Sequence, residues 1–246
     1  MFGLFKKKTV PLKELLDGFY DVHSHLLWGV DDGCRTAEES IEVAGLLAGM
    51  GVKGAYLTPH IIYGVHDSRS EADMRAQYAQ MPDLGDFQVR LAAEYHLDEK
   101  FQSHIEGPEP PLTLAEDWLL VEYSLGATRA SHQNELFEVA LSGKNIIVAH
   151  PERYSFLSDR KDMHELAKLT DKNYTLQLNL LSLTGHYGDR VKNIAEQLLA
   201  EGRYTFVGSD CHNKASVASI AHGEISAKLV EPLKALMENN KRVLWK

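Results

Sequence analysis

The chain has 246 residues, 44% of them hydrophobic and 25% charged, an ordinary composition for a globular protein and enough chain for one domain to bury a sizeable core. The formal net charge of -9 argues against nucleic-acid binding, and two cysteines provide no disulfide framework. Because no apolar run approaches the roughly 20 residues of a membrane-spanning helix, we expect a cytoplasmic protein without a transmembrane segment.

Residues 1–18 are expected to form a tail and lead-in to a single domain over residues 19–246. Within the domain, seven runs of apolar and β-branched residues predict short strands. These strands cover residues 19–24, 52–59, 87–95, 118–123, 145–149, 174–179 and 204–209.

Helical spacing fills the intervals between the predicted strands. Thr36 and Glu39 have the form of a capping box ahead of the first helix, and Ser68 and Glu71 repeat this form ahead of a helix that extends to Gln80. Further helices are expected over residues 132–142, 163–169, 190–201 and 224–238.

The alternation of strand and helix predicts the class of the fold. It indicates an α/β protein with parallel strands joined by right-handed crossovers, and seven strands favour a closed or nearly closed barrel. An open doubly wound sheet is the alternative. The Gly-x-Gly-x-x-Gly phosphate loop that usually accompanies such a sheet is absent from this sequence.

Polar residues follow the predicted strands at the points where the strands end. In an α/β barrel, catalytic groups project from the carboxyl ends of the strands. Each residue alone can be explained as a buried hydrogen-bonding group or a helix cap, but six of the seven ends carry a His, Asp or Glu. We therefore expect metal ligands among His23, His25, His60, Glu94, Glu122, His150, Asp210 and His212.

The residue types indicate which metals the site would take. Residues i and i+2 of an extended segment point to the same face, so His23 and His25 can reach one ion. Imidazole and carboxylate ligands favour manganese, iron or zinc, and several carboxylates indicate two or more ions that share oxygens. Of Asp31 and Asp32, one can serve a turn while the other binds metal. The other histidines are interpreted as non-ligating: His66, His96, His104, His132, His164, His186 and His222.

Six motifs stand in order along nearly the whole chain: D-V-H-S-H-L-L-W-G-V-D-D-G, T-P-H, A-A-E-Y, L-V-E-Y-S, A-H-P-E-R-Y and G-S-D-C-H-N. With them the chain resembles the polymerase-and-histidinol-phosphatase (PHP) superfamily, and within it the bacterial protein-tyrosine phosphatases of capsule and exopolysaccharide systems. The resemblance implies a distorted (β/α)7 barrel with three divalent metal ions, often manganese, at its carboxyl end.

The resemblance also implies a role for each site residue. His23, His25 and Asp210 would hold one ion, Glu122 and His150 a second, and Asp32, His60 and His212 a third, with Glu94 bridging the first two. Arg153 matches the arginine that faces the substrate phosphate, and with His60 and Asp32 it makes up the catalytic set. Two positions depart from the family pattern: Trp28 stands where Pro is frequent, and Lys214 begins a run that usually contains a second phosphate-binding arginine. Lys214 can replace that arginine only as a point charge.

The implied activity is hydrolysis of phosphotyrosine by a metal-bridging hydroxide, and the implied partner is a bacterial tyrosine kinase. Cysteine-nucleophile chemistry is excluded because Ser40 and Val217 stand where the required arginines would follow Cys34 and Cys211. Two alternatives stay open. One is a small-molecule phosphomonoesterase such as a histidinol phosphatase, and the other is a catalytically idle metal-binding barrel that serves as an adaptor.

Overall fold

The chain folds into a ring of parallel strands with helices outside it. The computed structural model describes residues 8–66, 69–125, 143–155 and 174–246. Its strands are β1 (Thr9–Pro11), β2 (Tyr20–Ser24), β3 (Gly54–Leu57), β4 (His60–Ile61), β5 (Gln88–Leu91), β6 (Glu94–His96), β7 (Trp118–Glu122), β8 (Asn145–Ala149), β9 (Thr175–Asn179), β10 (Phe206–Gly208) and β11 (Glu224–Ser226). Its helices are α1 (Ala37–Gly49), α2 (Glu71–Tyr78), α3 (Phe101–Glu106), α4 (Leu180–Thr184), α5 (Asp189–Ala200), α6 (Lys214–His222) and α7 (Val230–Leu244).

Two parallel sheets make up the ring. One has the strand order β10-β9-β8-β7-β6-β4 and the other the order β2-β3-β5. The sheets join where the Glu94 N–H donates to the Pro59 carbonyl at 3.1 Å, and the ring closes where the Asp210 N–H donates to the His23 carbonyl at 2.8 Å. The predicted distorted (β/α)7 barrel is thus confirmed.

Two of the seven predicted strands are shorter than expected, and each is followed by a second short strand. The prediction over residues 52–59 is met by β3 alone, with β4 directly beyond it, and the prediction over 87–95 is divided between β5 and β6. Pro59 lacks an N–H group and cannot continue the ladder, so it separates β3 from β4. The break places His60 and Glu94 at the starts of new short strands, where they pair in register.

The two ends of the described chain differ from expectation. Residues 224–238 were predicted as one helix, but β11 pairs antiparallel with β1 and α7 begins only at Val230. The prediction was wrong because the pairing of β1 captures Glu224–Ser226 as a strand. Residues 1–18 were expected to form a tail and a lead-in to the domain. In the structure, β1 forms a two-stranded antiparallel sheet with β11, and Leu12 and Leu16 are buried in the core of the domain.

The two predicted helix caps are both present, but the cap of α2 lies two residues later than predicted. The Thr36 side chain accepts from the Glu39 N–H at the start of α1. In α2 the capping box is formed by Ser70 and Asp73, two residues later than predicted, and Ser68 lies outside the described residues. The helices predicted over residues 132–142 and 163–169 also lie outside them, whereas α3, α4 and α6 were not predicted.

The barrel interior is apolar at one end and polar at the other. Alternate side chains of β7 to β9 turn inwards, with Leu120 and Ile147 in the interior core and Gln177 near the mouth. The amino end is filled by Leu244 and Trp245, which pack against the interior core. Within the described ranges, no helix combines the length and apolar character that crossing a membrane requires.

Candidate metal centre

All nine predicted ligand residues meet at the carboxyl end of the barrel. They form four overlapping groups in which the ligand atoms lie within 4.8 Å of one another. The groups are His25, Asp32, His60 and His212; His23, Glu94 and His150; His23, His25 and Asp210; and His60, Glu94 and Glu122. The structure thus brings the predicted residues together, and their roles as ligands stay a prediction.

Glu94 lies at the centre of these groups and is completely buried. Its Oε2 atom is 3.1 Å from His23 Nε2 and 3.0 Å from His60 Nδ1. Its Oε1 atom is 2.9 Å from His150 Nε2, and Glu122 Oε2 lies 3.7 Å from the same nitrogen. The two carboxylate oxygens of Glu94 therefore face different imidazoles, as a bridging ligand requires.

The spacing of the donor atoms fits a bound ion. His23 Nε2 and His25 Nε2 face each other at 3.1 Å, and oxygens of Glu94 and Asp210 lie 3.1–3.5 Å from them. Donors held at about 2.1 Å from one ion are separated by about 3.0–3.4 Å. Asp210 Oδ1 is also buried and makes no hydrogen bond within the described part of the chain. The residues present therefore fit a divalent metal ion.

Three imidazoles are oriented so that each offers its Nε2 atom. His23 Nδ1–H donates to Gln177 Oε1 at 2.9 Å, His25 Nδ1–H to Asp31 Oδ2 at 2.8 Å, and His212 Nδ1–H to the backbone carbonyl of Asp210 at 2.9 Å. A ligand histidine normally donates its other N–H to a carboxylate or carbonyl in this way.

Asp31 and Asp32 have different surroundings, which agrees with the prediction that one serves a turn and the other binds metal. Asp31 serves the turn, because its carboxylate accepts the N–H groups of Gly33 and His60 as well as the His25 ring. Asp32 Oδ1 lies 3.6 Å from His60 Nε2 and 3.4 Å from His212 Nε2. Asp32 is therefore the member of the pair that faces the candidate ion.

Charges inside the centre shift its pKa values strongly. Burial would lower the pKa of His60, but the hydrogen bond to Glu94 and nearby carboxylates raise it to about 9. Burial and the charge of Glu94 raise the pKa of Glu122 to about 7. Burial and the Arg153 charge lower the pKa of His150 to about 4. Burial and the charges of close neighbours thus set these pKa values.

Two site residues have left-handed backbone conformations. His150 has φ 33° and Asp210 has φ 55°, a region that non-glycine residues rarely adopt. His150 directly follows β8 and Asp210 is the second residue after β10, and the turn at each position aims the side chain into the mouth. Such conformations cost about 1–3 kcal/mol each and concentrate at functional sites.

Arg153 lies against Asp210 on one side of the centre. Its Nη1 donates to Asp210 Oδ2 at 2.7 Å, and the Asn179 amide donates to the same oxygen at 2.6 Å. The Tyr187 hydroxyl is a third donor, at 3.2 Å. Three donors on Oδ2 leave Oδ1 of Asp210 for a metal ion.

Some residues of the site were not predicted. Gln177 and Asn179 are inward-facing polar residues of β9, and their i, i+2 spacing, which alternates with Leu176 and Leu178, was an available signal. Tyr187 lies in a loop, where no periodicity marks it. Lys214 donates to Glu42 at 3.0 Å, so its amine is already paired.

The remaining histidines were interpreted as non-ligating. Within the described residues, none of them belongs to the four groups, and His132 and His164 lie outside those residues. His96 lies nearest in sequence to a predicted ligand, and its Nδ1 is 3.7 Å from Asp98 Oδ2.

Two named tyrosine-protein phosphatases are similar to this chain in sequence. The chain is 24% identical over 198 residues to the tyrosine-protein phosphatase YwqE of Bacillus subtilis (strain 168), which covers 78% of this chain and 77% of that protein. It is 24% identical over 203 residues to the tyrosine-protein phosphatase CpsB of Streptococcus pneumoniae, with coverage of 78% and 82%.

Solved structures show the same architecture. Crystal structures described as YwqE from Bacillus subtilis and CpsB from Streptococcus pneumoniae, metal-dependent tyrosine phosphatases, match with a TM-score of 0.70 at 22% identity over 92% of this chain and 93% of that one. The Escherichia coli phosphotriesterase homology protein, solved with phosphate in its active site, matches with a TM-score of 0.53 at 13% identity, covering 91% and 97%. Because the sequence identities are low, these two structural matches show a shared fold only.

The family itself is shown by a third comparison. Residues 19–225 match the family model described as capsular polysaccharide synthesis, CpsB/CapC. That range contains all nine predicted ligands and Arg153, and it includes the six motifs on which the resemblance was based. The chain therefore belongs to the CpsB/CapC family of capsular polysaccharide synthesis.

Proposed function

We propose that the protein is a metal-dependent phosphatase that hydrolyses phosphotyrosine in a protein substrate. The observation that carries this proposal is the position of Arg153, whose guanidinium binds Asp210 at the edge of the clustered ligand groups. A fixed cation for phosphate thus lies beside the candidate ions. Relatives named tyrosine-protein phosphatases support phosphotyrosine as the substrate.

The proposed ligand sets are those that the family resemblance implies, and all their members belong to the four clustered groups. In this proposal His23, His25 and Asp210 hold one ion, Glu122 and His150 a second, and Asp32, His60 and His212 a third, with Glu94 shared by the first two. Nitrogen and oxygen donors without thiolate support manganese, with iron or zinc as alternatives. When bound, such ions lower the pKa of water and offset the negative charge of phosphate oxygens.

The protein's own residues supply binding and orientation. Arg153 uses Nη1 for Asp210 and has other N–H groups for phosphate oxygens, where a charged donor also stabilises the transition state. The leaving group is a phenolate with a pKa near 10, which needs less protonation than an alkoxide. The site can therefore cleave phosphotyrosine without a strong general acid.

The exposure of the ligands indicates the side from which substrate enters. The Asp32 side chain is 57% exposed, whereas those of His23 and Glu94 are 0% exposed. Substrate therefore approaches from the side of the centre where Asp32 lies. An open approach of this kind suits an extended protein tail. A tyrosine kinase as the natural substrate and a cytoplasmic location stay predictions.

The proposal is tested by comparing substrates on the manganese-supplied protein. We expect kcat/KM for a phosphotyrosine peptide to exceed that for histidinol phosphate. A clear preference for histidinol phosphate would replace the proposal with the small-molecule alternative. If the protein hydrolyses neither of these substrates nor p-nitrophenyl phosphate, the remaining alternative is the catalytically idle metal-binding adaptor.

Removal of metal tests the same proposal independently. A chelator should abolish activity, and His23→Ala should lower kcat/KM by more than about 100-fold because it removes a ligand. His222→Ala is the control, since that histidine is exposed and bonds only to a backbone carbonyl of its own helix among the described residues. Fewer than two metal equivalents in the active protein would contradict the shared-ligand centre.

A further inference from the structure

Tyr187 contacts the Arg153 guanidinium in a way that the proposed function does not use. Its ring centroid is 4.3 Å from Arg153 Cζ, and its hydroxyl donates to Asp210 Oδ2 at 3.2 Å. The same oxygen accepts from Arg153 Nη1. Tyr187 therefore covers one face of the guanidinium and Asp210 binds one edge of it, and Tyr187 and Asp210 also bind each other.

We propose that Tyr187 is a positioning residue for phosphate binding. It stacks on Arg153 and holds the free N–H groups of the guanidinium in one orientation, so that less side-chain freedom is lost when phosphate binds. The proposal rests on the proposed function, in which Arg153 binds the phosphate. It adds a residue outside the predicted set of ligands and catalytic groups.

The loop that carries Tyr187 holds its ring in place. Tyr187 lies between Gly185 and Gly188, whose φ values of 82° and 88° permit the tight path from α4 to α5. The Asn179 amide lies 3.3 Å from the Tyr187 hydroxyl, and the His186 ring packs edge-on at 4.9 Å. His186 is in turn bonded to Ser219 of α6 at 3.0 Å. The ring is thus fixed from the strand side and from the helix side.

The test measures affinity for inorganic phosphate by calorimetry on the manganese-loaded protein. Tyr187→Phe keeps the stacked ring and should bind phosphate within about twofold of the parent protein, whereas Tyr187→Leu should bind about 3- to 10-fold more weakly. In an Arg153→Ala background, Tyr187→Leu should have no further effect, because its partner is gone. Tyr78→Leu is the control, since that half-buried tyrosine on α2 bonds to Val89.

Metal content and unfolding midpoints of all variants complete the test. The proposal is overturned if Tyr187→Leu leaves phosphate affinity unchanged, weakens it equally without Arg153, or loses metal. It is also overturned if Tyr187→Phe binds as weakly as Tyr187→Leu, since the hydroxyl and not the ring would then matter. Hydrolysis of a phosphotyrosine peptide by the parent protein is scored separately. Absence of hydrolysis contradicts the proposed function alone, and unchanged phosphate affinity contradicts this inference alone.

Discussion

Asp31 and Asp32 are neighbours in the chain and have different surroundings in the metal centre. Asp31 is buried under the His25 ring and accepts three N–H groups. Asp32 is exposed and faces His60 and His212. The first carboxylate orients a proposed ligand, whereas the second is itself a proposed ligand.

Asp31→Asn should weaken manganese binding without removing a ligand. An amide can accept fewer of the three N–H groups and lowers the basicity of His25, so we expect affinity to fall about 10- to 100-fold, with activity recovered at high manganese. Manganese titration against a competing chelator measures the change. Asp83→Asn is the control, because Asp83 also accepts the N–H two residues on but is exposed. Equal affinities for the two variants would contradict the role of Asp31.

Protons should compete with metal ions at His60 and Glu122, two of the proposed ligands. The pKa of His60 is raised to about 9 and that of Glu122 to about 7, so both carry protons below those values that an ion must displace. Raising the pH removes these protons, and manganese affinity should therefore increase between pH 7 and 9, by up to about tenfold per unit for one proton. Calorimetry at pH 7.5 in two buffers of different ionisation enthalpy should show proton release. Manganese binding without proton release would contradict the role of His60 and Glu122 as ligands.

Short strand elements bring the proposed ligands together. β10 has only three residues, and its Gly208 lies directly against His23 and Gln177 of the neighbouring strands. A Cβ atom at Gly208 would be 2.5 Å from His23 Cβ and 2.9 Å from Gln177 Nε2. The strand thus needs glycine so that the His23 ring can reach its position.

Gly208→Ala should push β10 away from β2. We expect a loss of about 1–3 kcal/mol in the free energy of unfolding and fewer bound manganese equivalents, because His23 must move. Gly45→Ala in α1 is the matched control, since no atom lies within 4 Å of its added Cβ and helix propensity should make it neutral or stabilising. Urea unfolding and metal analysis measure both variants. Similar behaviour of the two would show that β10 tolerates the methyl group.

The elements themselves were largely predictable, and their contacts were only partly so. The alternation of apolar strands with helices predicted the barrel, and the polar residues at the strand ends together with the family motifs indicated the nine candidate ligand positions. Local patterns could not show that β1 captures β11, since that pairing joins Thr9 to Ser226. They also could not find Tyr187, whose partner Arg153 comes from another strand end.

At the scale of the whole molecule, the barrel separates a stabilising end from a reactive end. Trp245 packs at the amino end, 4.8 Å from the Tyr20 ring and 4.6 Å from Arg90 Cζ. The predicted metal ligands lie at the carboxyl end. Changes at the amino end should therefore affect stability more than catalysis.

Trp245→Ala should lower the free energy of unfolding by about 3–5 kcal/mol, because it leaves a cavity in the interior core. The kcat/KM of the protein that stays folded should be unchanged at low temperature. Leu46→Ala, at a position that is 45% exposed, should stay within about 0.5 kcal/mol. Denaturant unfolding and initial rates measure the two effects. A parallel loss of metal from Trp245→Ala would contradict the separation of the two ends.

Closure of the barrel sets the order in which a newly made chain can mature. The Ser209 N–H donates to Asp21 Oδ1 across 188 positions, and contacts of such separation form late and slowly. During synthesis, His23 and His25 leave the ribosome long before Asp210 and His212 exist. The proposed first ion can therefore be enclosed only when the last strand docks, and metal uptake would report the completion of folding.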